Sequence, residues 1–384
     1  MIRQYRPAVI RQYLGRAVAF AKGEVVLTAA IILAVISAFF VPPSPAYVSY
    51  IDWNTLALLF GLMAVMKGFQ KEGLFEFLGT ALLKRIRGTR TMLAVLVFLP
   101  FVCSMVITND VSLITFVPFG IAVLKLSRRE PLVVPMVAMQ TLAANLGSML
   151  TPMGNPQNLY LYSQSGMSFW ELCGTMLPYV ALSGICLAVM LFFSASRSVR
   201  QLPVKAKLGN TANLVWSAAG FVLCLLGIFD LIPPLAIAAV VFLFLLFKDR
   251  QLLKSVDYAL LGTFVAFFVF IGNLSAISWF QDLLVSALEG RVTAIAVAAS
   301  QVISNVPAAL LLSGFTQEWN ALLIGCNIGG LGTLIASMAS LISYKQVARE
   351  YPEKKRKYFI WFTVSNLVLL ALLLLEYGLL EWLF

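Results

Sequence analysis

Long apolar stretches alternate with short polar or basic links along the whole chain. A helix needs roughly 20 apolar residues to cross a bilayer, so this pattern predicts an all-α, polytopic membrane protein. Amphipathic stretches at 72–83 and 276–289 predict short helices at the membrane surface. The apolar runs that fit single spans are 24–41, 53–68, 170–194, 212–229, 233–247, 257–272 and 358–380.

Two further apolar runs are interrupted near the middle by polar residues. The run 91–125 is interrupted at 108–110, and the run 292–316 is interrupted at 304–305. Each arm is shorter than a comfortable span, and basic residues flank both ends of the first run. Both runs therefore predict re-entrant hairpins whose tips are buried in the membrane.

Each predicted hairpin is followed by an apolar helix that polar, glycine-rich sequence interrupts. The two broken helices cover 132–162 and 319–344, and each contains the motif Asn-x-Gly, at Asn145 and at Asn327. Irregular backbone at membrane depth is tolerated only where it is buried in protein or lines a wet cavity. The two breaks therefore indicate a substrate site between them, as in secondary transporters.

The same order of elements occurs twice: a helix that starts after an aspartate, a surface helix, a hairpin, a broken helix and a final span. Counting crossings along the chain places the two members of each pair in opposite directions. We therefore predict an inverted repeat of two five-element halves, residues 1–207 and 231–384, joined by a linking helix at 208–230. Each half contains one re-entrant hairpin and one broken transmembrane helix.

The charge distribution predicts the orientation in the membrane. The net charge is +11, but Lys and Arg are grouped on alternate links, and Lys67 and Lys71 form one such group. With a cytoplasmic N-terminus, every group lies inside and only Arg291 of the 28 basic residues lies outside, which satisfies the positive-inside rule. We therefore predict a multi-pass protein of the inner membrane, with an external C-terminus, in contact with lipid and not with nucleic acid. No basic residue is then expected in the apolar core.

Several function classes lack the residues that they need. The chain has no histidine, and its five cysteines are scattered without metal-ligand spacing, which argues against zinc and haem. The sequence contains no phosphate-binding loop for an ATP-driven pump and no histidine for a hydrolytic triad. We therefore expect a protein that is not an enzyme and has no cofactor, with Na+ or H+ as its coupling ion.

Polar groups at the helix breaks supply the chemistry of the predicted site. A half-helix inside the membrane has free N–H groups at its start, which attract anions, and free C=O groups at its end, which coordinate Na+. The candidate substrate-binding residues are Thr108, Asn109, Asp110, Asn155, Ser304, Asn305, Thr333 and Ser337. The candidate sodium ligands are Asn109, Asp110, Asn145, Gly154, Asn305 and Asn327.

Asp110 differs from the neutral candidates because it is a carboxylate placed between two apolar arms. A charged aspartate at the centre of the bilayer costs at least about 2.5 to 3.5 kcal/mol, so it needs a proton or a cation. We therefore expect Asp110 to exchange a proton or Na+ during transport. A structural role, in which its carboxylate caps the second hairpin arm, is compatible with this one.

These motifs resemble the citrate/arsenite ion-transporter superfamily over nearly the whole chain. The segments that carry the resemblance are Thr108-Asn109-Asp110, Thr151 to Asn158, Ser304-Asn305 with Pro307, and Asn327 to Thr333. The resemblance implies an anion permease similar to arsenite permeases and divalent-anion:sodium symporters, which moves a small-molecule anion. It also implies a homodimer in which a transport domain moves as an elevator against a scaffold domain.

The hairpin tips differ from those of the dicarboxylate symporters in this superfamily, which are similar to Ser-Asn-Thr. Asp110 and Val306 occupy the third position here, which favours the arsenite and general anion-permease branch. Two other functions stay open: a Na+/H+ antiporter in which Asp110 carries the ions, and an arsenite efflux channel subunit that works with a separate ATPase.

Overall fold

The computed structural model describes residues 23–84, 86–194, 197–198 and 206–383. Within these ranges the chain folds into helices joined by short links, which confirms the predicted all-α architecture. The helices before residue 200 are α1 (Val25–Ala38), α2 (Ala46–Tyr50), α3 (Trp53–Lys71), α4 (Leu74–Leu83), α5 (Thr89–Cys103), α6 (Asn109–Leu126), α7 (Val133–Gly147), α8 (Pro156–Ser165) and α9 (Phe169–Phe192). Those after it are α10 (Thr211–Ile228), α11 (Pro234–Lys248), α12 (Arg250–Lys254), α13 (Tyr258–Ser275), α14 (Ser278–Leu288), α15 (Val292–Ile303), α16 (Asn305–Ser313), α17 (Trp319–Ile328), α18 (Met338–Glu350) and α19 (Lys355–Leu383).

Six helical segments of the described ranges are long and apolar enough to cross a bilayer. They are Asn109–Leu126, Glu130–Leu150, Phe169–Phe192, Thr211–Ile228, Tyr258–Ser275 and Pro352–Leu383. Large apolar side chains on the outside, such as Phe193, Phe247 and Trp382, are 80%, 82% and 81% exposed, as expected for contact with lipid. The chain is therefore a multi-pass membrane protein, as predicted.

The second arm of the first hairpin, α6, is among these six segments and is thus longer than the sequence pattern suggested. The interrupting residues 108–110 lie at its start, so the arm runs unbroken from the tip to Leu126. The first hairpin (α5 and α6) and the second hairpin (α15 and α16) are helix-turn-helix units in the structure. Their re-entrant path through the membrane stays a prediction.

Aspartate side chains define the starts of α3 and α13. Asp52 accepts a hydrogen bond from the backbone N–H of Thr55 at 3.0 Å, and Asp257 accepts one from that of Leu260 at 2.9 Å. Such caps satisfy free N–H groups in the first turn of a helix. The two helices begin in the same way, in agreement with their predicted equivalence.

The order of elements in the second part of the chain repeats that of the first. Helices α3 and α4, the first hairpin, the pair α7 and α8, and α9 correspond to α13 and α14, the second hairpin, the pair α17 and α18, and α19. The opposite orientation of the two sets and the domain boundaries at 1–207, 208–230 and 231–384 stay predictions.

Helix packing separates two groups of elements. Helix α3 packs against α10 and α11, and α1 packs against α13. The hairpins instead pack against the broken helices: α5 and α6 contact α7, and α15 and α16 contact α17. The polar centre of the protein lies within this second group.

Glycines of the two Asn-x-Gly motifs allow the hairpins to approach the broken helices closely. A Cβ atom on Gly147 would lie 2.6 Å from Ser104 Oγ, and one on Gly329 would lie 2.7 Å from Ser300 Oγ. Both distances are shorter than real Cβ contacts, so glycine is needed at each position. The equivalent contacts in the two parts of the chain seat each hairpin on its own broken helix.

The predicted orientation can be tested with single cysteines at two exposed positions, Arg128 and Gln317. In a background without the five native cysteines, we expect Arg128→Cys to react with an impermeant thiol reagent from the cytoplasmic side only, and Gln317→Cys from the external side only. The measurement is labelling of right-side-out and inside-out vesicles. Labelling of both positions from one side would contradict the orientation that the charge count predicts.

Candidate functional site

The structure confirms that both predicted broken helices are interrupted. Helix α7 ends at Gly147, and two single 3₁₀ turns separate it from α8, which begins at Pro156. Helix α17 ends at Ile328, and α18 begins ten residues later at Met338. We call the segments between these helices, 148–155 and 329–337, the first break and the second break.

Asn145, at the end of α7, is bonded to the second break and to the helix after it. Its Nδ2 donates a hydrogen bond to Ser340 Oγ at 3.2 Å, and its Oδ1 accepts one from Ser337 Oγ at 3.2 Å. The same oxygen accepts a hydrogen bond from Asn109 Nδ2 at 3.1 Å. One buried amide therefore joins the first hairpin tip, the first broken helix and the second broken helix.

Asn327, at the end of α17, makes the equivalent bonds in the other direction. Its Nδ2 donates to Asn158 Oδ1 at 2.7 Å, and its Oδ1 accepts from Asn155 Nδ2 at 3.4 Å. Asn155 and Asn158 hold the same positions in α8 as Ser337 and Ser340 hold in α18, namely the N-cap and the third residue. We call these two sets the cross-half asparagine bonds, because each asparagine bonds the broken helix of the other half.

The tip of the first hairpin places Asn109 and Asp110 in the first turn of α6. Thr108 caps this helix, and its Oγ1 accepts a hydrogen bond from the backbone N–H of Val111 at 3.4 Å. Asn109 Oδ1 accepts one from the N–H of Asp110 at 2.9 Å. The Asp110 carboxylate has no hydrogen-bond partner among the described residues, so it is free to bind a ligand or a proton.

The tip of the second hairpin is held in a strained conformation. Ser304 has φ +74° and ψ 153°, a region that is open mainly to glycine and costs about 1 to 3 kcal/mol for other residues. The backbone N–H of Asn305 donates to the carbonyl of Ala336 at 2.9 Å, which ties the tip to the second break. Asn305 Oδ1 accepts from the N–H of Val306 at 3.0 Å, as Asn109 does for its own neighbour.

Side-chain amides bind the free carbonyl groups at the ends of α7 and α17. Asn158 Nδ2 donates to the carbonyls of Met149 and Thr151 at 3.1 and 3.2 Å. Gln301 Nε2 donates to those of Gly329 and Leu331, both at 2.9 Å. Four carbonyl groups just beyond the ends of α7 and α17 are therefore bound by side-chain amides.

The first turns of four helices meet at one small cavity, which we call the tip cavity. It has a volume of about 50 Å³. Asn109, Asn155, Asn305 and Ser337 line it, and each lies at the start of α6, α8, α16 or α18. Each helix N-terminus brings a positive partial charge of roughly half a unit to the tip cavity, and Glu24, Asp110 and Asp257 bring carboxylates to the same walls.

A second cavity of about 70 Å³, which we call the Lys67 cavity, shares Asp110, Asn155 and Asp257 with the tip cavity. It is also lined by Thr108 and by Lys67 of α3. This corrects the expectation that no basic residue lies in the core. Sequence reasoning grouped Lys67 with Lys71 on the cytoplasmic side, but Lys67 lies one turn before the end of α3 and its side chain lines the cavity.

The structure thus brings most of the predicted site residues to two adjoining cavities. Those on the cavity walls are Thr108, Asn109, Asp110, Asn155, Asn305 and Ser337. Those outside these walls are Asn145, Gly154, Ser304, Asn327 and Thr333. Thr333 is exposed and bonds the backbone and side chain of Gln301, whereas Asn145 and Asn327 form the cross-half asparagine bonds. Lys67, Asp257 and Glu24, which also line the cavities, were not predicted.

Comparison with known proteins identifies the family. The sequence profile described as citrate transporter matches residues 17–319, which is more than half of the chain. The chain belongs to the citrate transporter family. The matched range includes both hairpin tips and the first break, so the family resemblance covers most of the site described above.

Named relatives of this citrate-family protein are transporters or membrane proteins. The inner membrane protein YbiR of Escherichia coli is 32% identical over 312 residues, which are 80% of this chain and 83% of the relative. An uncharacterized transporter of Methanocaldococcus jannaschii is 30% identical over 300 residues, 77% of this chain and 81% of the relative. A silicon efflux transporter of Oryza sativa subsp. japonica is 34% identical over 147 residues, 38% of this chain and 30% of the relative. The protein is therefore a membrane transporter of the citrate/arsenite permease type.

The cross-half asparagine bonds predict a large stability difference between two asparagines of α17. Asn327→Ala leaves the buried Oδ1 of Asn158 without its hydrogen-bond donor and removes one of the two acceptors of Asn155 Nδ2, and each unsatisfied buried group costs about 1 to 3 kcal/mol. We expect a loss of at least about 2 kcal/mol in unfolding free energy, measured by denaturation in detergent. The exposed Asn320→Ala on the same helix should change stability little; equal effects would show that the bonds contribute nothing.

Proposed function

We propose that this transporter is a secondary active permease that moves a small anion or oxyanion, coupled to Na+ or H+, by alternating access of the elevator type. The observation that supports the proposal most is the meeting of four helix N-termini at the tip cavity. Two of the helices begin at hairpin tips and two begin after breaks, so both halves of the chain contribute equally.

Charge supports an anion in the tip cavity. The four N-terminal turns direct partial positive charge toward it, and the amides of Asn158 and Gln301 bind carbonyl groups of the two breaks. In a medium of low dielectric constant these dipoles interact strongly with a bound charge. An anion can therefore be held there by helix N-termini and neutral amides.

The size of the tip cavity favours a compact substrate. One water molecule needs roughly 10 to 15 Å³ of such space, so about 50 Å³ has room for roughly four waters. That is close to the size of a tetrahedral oxyanion and well short of a tricarboxylate. The family is described as citrate transporters, while one relative is a silicon efflux transporter. The cavity agrees better with a small oxyanion than with citrate.

Asp110 supports coupling to a cation. It lines both cavities beside Asp257, and no hydrogen bond to its carboxylate exists within the described residues. A carboxylate at membrane depth requires neutralisation, so binding of Na+ or H+ to Asp110 is favourable at the same time as an anion enters next to it. The Na+ ligands proposed from the sequence that remain on a cavity wall are Asn109, Asp110 and Asn305.

A Na+/H+ antiporter is the second candidate, because the two cavities also contain the carboxylates of Asp110, Asp257 and Glu24. In that case Asp110 carries the ions and no anion moves. Counterflow of radiolabelled arsenite, phosphate, sulfate or citrate in proteoliposomes separates the two functions. Gradient-driven proton movement with Na+ alone and without any anion would support the antiporter.

The proposal includes an arrangement in the membrane that follows from the charge pattern and the family resemblance. The N-terminus lies in the cytoplasm, the C-terminus lies outside, and two copies of the chain form a homodimer through the elements that do not carry the substrate. The separation of α3, α10 and α11 from the hairpins agrees with a fixed domain and a moving one.

The two tip asparagines provide the first test of the site. Asn109→Ala and Asn305→Ala each remove an amide from the tip cavity and the bond that organises the first turn of the following helix. We expect anion counterflow to fall at least about tenfold, the effect of losing one or two good polar contacts, with near-normal membrane insertion. Asn320→Ala, at an exposed position of α17 that lines neither cavity, is the control and should transport normally. Wild-type rates in both tip variants would exclude this site.

Asp110 provides the second test. Asp110→Asn keeps the shape of the side chain and its capping ability but fixes the charge at zero. We expect a folded protein in which exchange of bound anion persists, while uptake no longer responds to a Na+ or H+ gradient. The measurement is uptake by purified protein in liposomes with each gradient imposed separately. Full gradient response in Asp110→Asn would reduce Asp110 to a structural cap.

A further inference from the structure

Three charged side chains from three different helices line the Lys67 cavity. They are Lys67 of α3, Asp110 in the first turn of α6 and Asp257, the N-cap of α13. We call them the charged trio. Glu24, on the wall of the tip cavity, is the other charged residue on these two cavities. Helices α3 and α13 lie outside the group of hairpins and broken helices, so the trio spans the boundary between the two groups.

The Lys67 ammonium lies near the carboxylates without pairing with either. Its Nζ donates a hydrogen bond to the neutral Oε1 of Gln70 at 3.3 Å, and Gln70 Nε2 donates to Thr115 Oγ1 of α6 at 3.2 Å. Within the described residues no carboxylate lies within ion-pair distance of Lys67. The ammonium is therefore attached through Gln70 to the first hairpin, and space remains between it and Asp110.

The charges of the trio do not balance without a further cation. With both aspartates ionised, the trio carries one positive and two negative charges. Asp257 is exposed, whereas Asp110 is half-buried, and an unpaired charge at membrane depth is costly. The cavity of about 70 Å³ is large enough for an ion or a few water molecules between the three groups. One monovalent cation at Asp110 would bring the trio to neutrality.

We propose that Lys67 is the resident counter-cation of Asp110 and competes with the coupling cation for it. This inference rests on the proposed function and names the device that regulates it. When Na+ or H+ occupies Asp110, the ammonium stays on Gln70, as in this structure. When the coupling ion leaves, the ammonium moves to Asp110, so the carboxylate is not left without a counter-charge.

Competition between Lys67 and the coupling ion predicts a change in cation affinity that a lysine which only binds the anion would not produce. Removing a positive charge from beside a site strengthens cation binding there, because like charges repel over a few ångströms in a medium of low dielectric constant. A variant without the ammonium therefore holds the coupling ion too tightly and cannot neutralise Asp110 when it is empty. A lysine that only binds substrate would instead lower anion affinity and leave cation affinity unchanged.

The first experiment measures cation binding without transport. Purified wild-type and Lys67→Gln proteins are heated over a range of Na+ concentrations at fixed pH, and over a range of pH without Na+. The contribution of Asp110 is the part of the change in melting temperature with Na+ or pH that is lost in Asp110→Asn. In Lys67→Gln we expect the half-saturating Na+ concentration to fall about tenfold or more, or the midpoint of the pH response to rise by about one unit.

Two variants control for effects on folding. Lys67→Arg keeps the positive charge and should stay within about twofold of the wild-type cation response, the change in geometry notwithstanding. Lys71→Gln removes the lysine at the end of α3, one turn after Lys67. Lys71 is bonded to Asp249, the residue before α12, and lowers the pKa of that carboxyl group. Lys71→Gln should leave the cation response of Asp110 unchanged.

The second experiment separates exchange from net transport in proteoliposomes. Lys67→Gln should lose more of its net uptake than of its anion counterflow, because net uptake requires release of the coupling ion in every cycle and counterflow does not. Wild-type protein that moves no anion would refute the proposed function, while the cation measurements would still test Lys67. An unchanged cation midpoint in Lys67→Gln, or a shift that persists in the Asp110→Asn background, would overturn the competition between Lys67 and the coupling ion.

Discussion

A helix that stops inside a membrane leaves backbone N–H and C=O groups with no water to bind them, and the centre of this protein is organised by that constraint. The two kinds of helix end are treated differently. Carbonyl groups at the ends of α7 and α17 are bound by the amides of Asn158 and Gln301. The N-terminal ends of four helices instead meet at the tip cavity. The centre therefore combines partial positive charge from four helix N-termini with the negative charge of the nearby aspartates.

The cross-half asparagine bonds make the two broken helices one unit. Each hairpin is in turn seated on its broken helix by the close contacts at Gly147 and Gly329. Hairpins and breaks therefore form a continuous network of buried polar bonds and tight packing, which is difficult to deform internally. The boundary with α3 is different, since the contact across it between Gln70 and Thr115 is a single hydrogen bond between two side chains. A conformational change that leaves the network intact would occur at that boundary.

The sequence was informative where a polar residue interrupts an apolar run, because such an interruption has few physical explanations. The all-α fold, both breaks and the positions of Asn109 and Asn305 on one cavity followed from that pattern. It was uninformative where the outcome depends on the direction of a side chain from a regular helix. Lys67 is close to the end of α3, and only the packing of α3 against the hairpin determines that it faces Asp110. Thr333 was placed in the site by its motif, but Gln301 binds it on the outside of the second break.

The cross-half asparagine bonds also bear on how the chain is made. Asn145 finds Ser337 and Ser340 only 192 and 195 residues later in the sequence. The first broken helix is therefore synthesised and inserted before its hydrogen-bond partners have been made. Until then, the amide groups of this helix are in contact with lipid, water or an insertion factor. Long-range contacts of this kind form slowly, and unsatisfied polar groups in a bilayer are costly. Premature termination anywhere before α18 would leave the first half with an exposed polar centre, a feature by which membrane quality control could recognise it.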